Sequence, residues 1–242
     1  MAIIVLDPGH GGSDSGAVYN NYFEKDFNLA IARETKNYLS ANYNAEIHMT
    51  LSSDSTVDLA ERVNIANNLG ADVFVSIHIN AGGGTGFESY IYTNVSSGTE
   101  SFQQAVHKVV AEFYQALGFP DRGTKRANFY VLRNTIMPAV LLENLFIDNQ
   151  RDLDQLREPG FAGRLGERIG LGIAGAMHLT TSISPSAPEP DPEPKPPLNA
   201  WDPQGEIERL RRDGLVANEY SPSDPVTWGQ FATVLNRLRD SL

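Results

Sequence analysis

The chain has 242 residues, of which 41% are hydrophobic and none is cysteine, and its formal net charge is −11. That acidity argues against a nucleic-acid binder and against a basic membrane-surface helix, both of which need clustered Lys and Arg. Without cysteine there is no disulfide, thiolate-held zinc, iron–sulfur cluster or thiol nucleophile, so any metal must sit on His, Asp or Glu.

No stretch approaches the ~20 apolar residues that span a bilayer, so no membrane insertion is expected. Met1 leads directly into Ala2-Ile3-Ile4-Val5-Leu6 with no basic leader and no small-residue cleavage site. The expectation is a chain that is cytoplasmic as synthesised and reaches any outside target only after release.

In chain order, strands are expected at residues 2–6, 46–51, 73–79, 88–92, 129–132 and 139–142. Between and after them, helical spacing of apolar residues marks 26–40, 56–69, 100–117 and 159–179. Thr56 or Asp58 can cap the second helix, Gly70 stops it, and Gly118 ends the third. Gly82-Gly83-Gly84 reads as a flexible loop. Strands interleaved with helices predict an α/β fold with one mostly parallel sheet covered on both faces.

Half of the 14 prolines crowd into residues 182–197. Alternating X-Pro cannot form a helix or a central strand, and at about 3.1 Å per residue it makes a semi-rigid spacer of roughly 50 Å. The expected organisation is a main domain at 1–181, a linker at 182–197 and a small module at 198–242.

Three apolar runs end in chemistry. Residues 3–6 lead to Asp7-Pro8-Gly9-His10, residues 73–77 to His78-Ile79-Asn80, and residues 139–142 to Glu143-Asn144. In an open α/β sheet, ligands bind beyond the carboxyl ends of the strands, so these ends can share one pocket. Glu24, in the loop expected before the first helix, can return over the same edge. Two imidazoles and a carboxylate with an open position form a recurring catalytic zinc site, and His10, Glu24 and His78 supply that set. Glu143 remains as a base for the water proton, and Asp7, Asn80 and Asn144 are candidates for hydrogen bonds that orient the ligands. The same donors can hold iron(II) in an oxygenase. A phosphate cradle around His10 has little support, because no Lys-Ser/Thr follows its glycines. His48, His107 and His178 are read as structural.

At these residues the sequence resembles the zinc-dependent N-acetylmuramoyl-L-alanine amidases of the amidase-3 type. The resemblance is carried by VLDPGHGGSDSGAV from Val5, the Glu24 that follows, LAERVNIANNLGADVFVSIHINA from Leu59, and PAVLLENLFIDNQRD from Pro138. It implies a six-stranded α/β fold and one Zn²⁺ on His10, Glu24 and His78, with Glu143 as acid/base. The implied substrate is peptidoglycan, cut between the muramic lactyl group and the first L-alanine. The family commonly has Thr-Arg after its second strand, where Thr50 here precedes Leu51. Residues 118–128 are too short for the autoinhibitory helix that some members insert. The missing leader suits a phage endolysin or a mother-cell autolysin. A catalytically idle wall-binding protein and a zinc carboxypeptidase or deacetylase are the competing readings.

In the last 45 residues, helices are expected at 203–213 and 227–238. The pattern resembles a single S-layer-homology-like repeat, with Trp228-Gly229-Gln230 in place of the usual Arg-x-Glu. Wall binding and self-association are the two readings of this module.

Overall fold

The computed structural model describes residues 1–182 and 203–212. The chain divides into two units, Met1–Ser184 and Pro185–Leu242. In chain order the first unit forms β1 (Ala2–Pro8), β2 (Val18–Tyr19), β3 (Tyr22–Phe23), α1 (Glu24–Asn42), β4 (Ala45–Met49), α2 (Leu59–Leu69) and β5 (Val73–Asn80). It continues with β6 (Phe87–Ile91), α3 (Ser97–Ala116), β7 (Asp121–Arg126), α4 (Tyr130–Asn134), β8 (Ala139–Phe146), α5 (Gln150–Leu156) and α6 (Phe161–Ala176).

The sheet is six-stranded and mostly parallel, in the order β4-β1-β5-β8-β6-β7. Strands β4, β1, β5 and β8 run together, while β6 pairs antiparallel with β8 and parallel with β7. Side chains alternate across the pleat, so the central strands β1, β5 and β8 each feed two cores. On one face Ile4, Leu6, Val75, Ile77 and Leu142 pack with Ile31 and Leu39 of α1, Val106 and Val110 of α3, and Leu165 and Ile169 of α6. On the other, Val5, Phe74 and Leu141 meet Val63 and Ala66 of α2 and Val131 and Leu132 of α4. Burial of each large aliphatic side chain contributes about 1.5–3 kcal/mol. Helices α1 and α6 approach closely at Gly166, where a Cβ would lie 2.7 Å from the backbone nitrogen of Thr35.

Local capping chemistry sets several boundaries. Asp58, rather than Thr56, caps α2 by accepting from the Glu61 amide at 2.8 Å, and Gly70 stops the helix in the left-handed region at φ 62°. The glycine loop is tied down: the Gly82 and Gly83 amides donate to Asp148 at 2.8 and 2.9 Å.

Three assignments change. The run expected to be a strand at 129–132 lies mostly in the short helix α4, with Val131 and Leu132 buried. Four apolar residues have no distinguishing period, and packing against α2 decides their form. The sixth strand is instead β7, whose sequence DRGTKR has no apolar residue. An edge strand needs only one partner, and its charges suit the open side. Glu24 opens α1 rather than preceding it, which puts its carboxylate at the positive end of the helix.

In the second unit, α7 (Pro203–Arg212) occupies the place of the first expected helix, with Ile207 and Leu210 half-buried on one face. The linker from 183 onward, the helix expected at 227–238 and the S-layer-homology-like pattern beyond 212 lie outside the described residues. No described helix is long and apolar enough to cross a membrane.

Candidate active site

The carboxyl ends of β1, β5 and β8 meet the N-terminus of α1. One ligand atom each from His10, Glu24 and His78 can be chosen so that all lie within 4.8 Å of one another. Glu24 sits between the rings, its Oε2 3.2 Å from His10 Nε2 and its Oε1 2.9 Å from His78 Nδ1. The rings meet edge to face with centroids 5.0 Å apart.

Each group is held by a further partner. His10 Nδ1 donates to Asp14 at 2.8 Å, which aims Nε2 at Glu24. Glu24 accepts from Asn28 Nδ2 at 3.1 Å and from the amides of Ala17 and Ile79 at 3.0 and 3.2 Å. Gly16, at φ 63°, leaves room for this: a Cβ there would lie 2.6 Å from Glu24 Oε2. Hydrogen bonding to Glu24, reinforced by Asp14 against the effect of burial, raises the His10 pKa to about 9. Burial opposes charge on His78 too, but Glu24 and Glu143 raise its pKa. The same two rings hold Glu24 far below the usual carboxylate range despite its burial.

His10 has φ 64°, a costly backbone conformation for a non-glycine residue. Arg62 of α2 secures it. Its Nη2 donates to the His10 carbonyl at 2.6 Å, and its Nη1 donates to the Pro8 carbonyl at 2.6 Å and to Asp7 Oδ1 at 2.7 Å. Asp7 also accepts from Thr50 and Ser76, each at 2.7 Å. Asp7 therefore braces the end of β1, and among the described residues its side-chain hydrogen bonds reach none of the three clustered residues. Asn144 donates to the His78 carbonyl at 3.1 Å and fixes that residue through its backbone. Asn80 donates instead to Glu88 at 2.8 Å.

Glu143 lies directly across from His78 on β5 and from Glu88 on β6. Directly opposed residues share a sheet face, so the three form a row. Glu143 Oε2 is buried without a hydrogen-bond partner among the described residues. Burial, helped by Glu24 and Glu88 against the two rings, raises the Glu143 pKa to about 7. This carboxyl can both take and release a proton near neutrality.

Glu88, Arg62, Asp14 and Asn28 were not singled out in the sequence. Glu88 is buried, yet burial is outweighed by Lys125, Arg122 and Tyr90, which lower its pKa from 4.5 to about 2. A depressed folded-state pKa means stability that is present above the unfolded value and lost as pH falls toward the folded one. The stability advantage of wild type over Glu88→Gln, read from urea midpoints, is expected to be largest above about pH 5 and to shrink toward about pH 2. An advantage independent of pH would show that the charge is not its source.

The remaining histidines stand apart. His48 bonds Glu46, and His178 ends α6 with φ 51°. His107 links Ser89 Oγ at 2.8 Å to Asp121 at 2.9 Å, a serine–histidine–aspartate series in form. Ser89 is completely buried and its hydroxyl also contacts Gln103, so the series ties α3 to β6 and β7 rather than facing a substrate.

A mostly parallel α/β sheet with two histidines and two glutamates at its carboxyl edge has the outline of a metal-assisted hydrolase. The comparisons make this specific. The family model described as N-acetylmuramoyl-L-alanine amidase matches residues 4–175, and the chain belongs to that family. It is 45% identical over 181 residues to the N-acetylmuramoyl-L-alanine amidase CwlM of Bacillus licheniformis, covering 74% of this chain and 70% of the relative. It is 43% identical over 189 residues to the endolysin of Bacillus phage SPP1, covering 77% and 70%. Among solved structures, the catalytic domain of CwlV, an N-acetylmuramoyl-L-alanine amidase from Bacillus (Paenibacillus) polymyxa var. colistinus, superposes with a TM-score of 0.69 at 38% identity. That match covers 74% of this chain and all of the other.

Proposed function

We propose that this chain is a peptidoglycan hydrolase that cuts the amide between the lactyl group of N-acetylmuramic acid and L-alanine. In this reading His10, Glu24 and His78 hold zinc, and Glu143 carries the proton. The observation that carries it is the convergence of two imidazoles and a carboxylate within 4.8 Å, beside a buried glutamate oxygen that no group among the described residues satisfies. The donor set suits zinc, and the partners of His10 and Glu24 keep their donor atoms aimed inward. When bound, zinc supplies a water of lowered pKa and a Lewis acid for the amide carbonyl.

The chain's own residues do the rest. Glu143 accepts the proton of the attacking water and delivers it to the alanine nitrogen as the carbon–nitrogen bond breaks, so the amine leaves neutral. Its pKa of about 7 suits both halves of that exchange. Asp14 and Arg62 hold His10 in place from its ring and from its backbone. The family argues against the iron oxygenase reading of the same donors. A lytic role, as phage endolysin or autolysin, follows the sporulation-specific amidase of Bacillus subtilis and the phage endolysin among the relatives. We assign residues 198–242 to wall binding or self-association.

Mass spectrometry of digested sacculi tests the reading directly. The expected products are stems with a free N-terminal alanine and glycan left uncut. Chelation is expected to abolish release, and added zinc to restore it. A different severed bond, as from a carboxypeptidase or deacetylase, overturns the assignment. Undiminished lysis by chelator-treated protein overturns the metal.

A further inference from the structure

The row of polar residues that contains Glu143 does not stop at Glu88. The irregularity in the β6–β7 ladder lies between Phe87, which pairs with Asp121, and Ser89, which pairs with Thr124, so Arg122 and Gly123 together face Glu88, and it is Arg122 that bonds its carboxylate. The row thus runs His78, Glu143, Glu88, Arg122 across β5, β8, β6 and β7. At Glu88, one oxygen accepts from Asn80 at 2.8 Å and the Tyr90 hydroxyl at 2.7 Å, and the other from Arg122 Nε at 2.7 Å and from Lys125 Nζ. Two cations on one carboxylate leave a positive charge in excess, in a chain whose net charge is −11.

Arg122 is fixed without being used up. Its Nε holds Glu88 and its guanidinium lies 4.9 Å from the centre of the Phe146 ring, while its two terminal amino groups make no hydrogen bond among the described residues. Lys125 is likewise set 5.7 Å from the centre of the Tyr90 ring. Both side chains remain about one-third exposed, at 35% and 36%. A planar guanidinium fork, pre-oriented and half open, matches a carboxylate with two parallel hydrogen bonds.

We propose that Arg122 and Lys125, held on buried Glu88 beside Glu143, form a subsite for a carboxylate on the peptide side of the cleaved amide. The inference rests on the amidase reading and adds to it the direction in which substrate lies. Neighbouring strands are about 4.8 Å apart, which puts Arg122 roughly 10 Å from Glu143. An extended peptide advances about 3.4 Å per residue, so two residues cover about 7 Å and the reach of an acidic side chain supplies the remainder, which assigns the carboxylate to one of the two residues after the alanine. A peptide stem carries acidic groups at that range, whereas neutral sugar offers this charge nothing to pair with. The stem therefore runs from Glu143 toward β7, and the glycan toward the His10 loop.

The test compares two soluble substrates, N-acetylmuramoyl-L-alanyl peptides with glutamate or with glutamine as second residue. Wild-type zinc-loaded protein is expected to favour the acid by about 10–100-fold in kcat/KM, mainly through KM. Arg122→Gln and Lys125→Met are each expected to bring that ratio close to one. Each single variant leaves the other cation on Glu88, so the buried carboxylate stays paired and the fold is retained. A merely structural role would lower both rates together and keep the ratio. An unchanged ratio in both variants, or a wild type indifferent to the substitution, overturns the subsite. A wild type that cleaves neither substrate overturns the amidase reading and the subsite with it.

Discussion

Replacing Glu143 with glutamine is expected to lower turnover of cell walls by about 10²–10⁴-fold, the usual contribution of a positioned general acid–base group. The amide keeps the shape of the carboxyl but cannot take the water proton or return it to the leaving nitrogen. Metal content is expected to stay at wild-type level, because the clustered donors are His10, Glu24 and His78. The fold should hold as well: Glu143 Oε2 has no hydrogen-bond partner among the described residues to lose, and burial already disfavours its charge. Dye release from stained sacculi, with metal analysis of the same sample, checks both halves. Turnover within a few-fold of wild type would remove Glu143 from the mechanism, and loss of metal would make it a ligand instead.

The second large effect is on stability. Arg62→Leu is expected to cost about 3–5 kcal/mol, the range for breaking one side of a buried ion pair. Both partners are almost completely shielded, with side-chain exposures of 4% for Arg62 and 2% for Asp7. The substitution also strands the carbonyls of Pro8 and His10, and that of Val57, which accepts from Arg62 Nε at 3.0 Å. Because one of these fixes the left-handed backbone of His10, zinc affinity should fall along with the urea midpoint. A loss below about 1 kcal/mol would mean that Thr50 and Ser76 satisfy Asp7 without help, as in a surface pair. Adding Asp7→Asn to Arg62→Leu is expected to recover part of the loss, since no charge then remains buried.

The part of the site that was legible is the part made of residue types at the ends of apolar runs. His10 follows the end of β1, His78 lies near the end of β5, Glu143 faces His78 from within β8, and Glu24 follows the first of them closely in sequence. The groups that steer them were not legible in the same way. Arg62 reaches Asp7 across 55 positions, and Lys125 reaches Glu88 across 37. Nothing local distinguishes these from solvated charges on a helix or an edge strand. Asn80 stands beside His78 in sequence, yet its amide nitrogen turns to Glu88, a partner that spacing does not reveal.

The fold divides in the same manner. Hydrophobic period and capping chemistry act over a few residues, so the sequence by itself determined the α/β class, the buried strands and which polar residues follow them at the carboxyl side of the sheet. Its family resemblance extended that reading to an amidase. Strand register, by contrast, is a long-range choice, made when two cores close on opposite faces of one sheet. Only that closure decided that DRGTKR would be a strand and FYVL mostly a helix. It also decided that Glu88, Glu143 and His78 would lie in one row. A side chain's charge is written in the chain, but the partner that makes burial of that charge tolerable is supplied by distant segments brought together in the folded state.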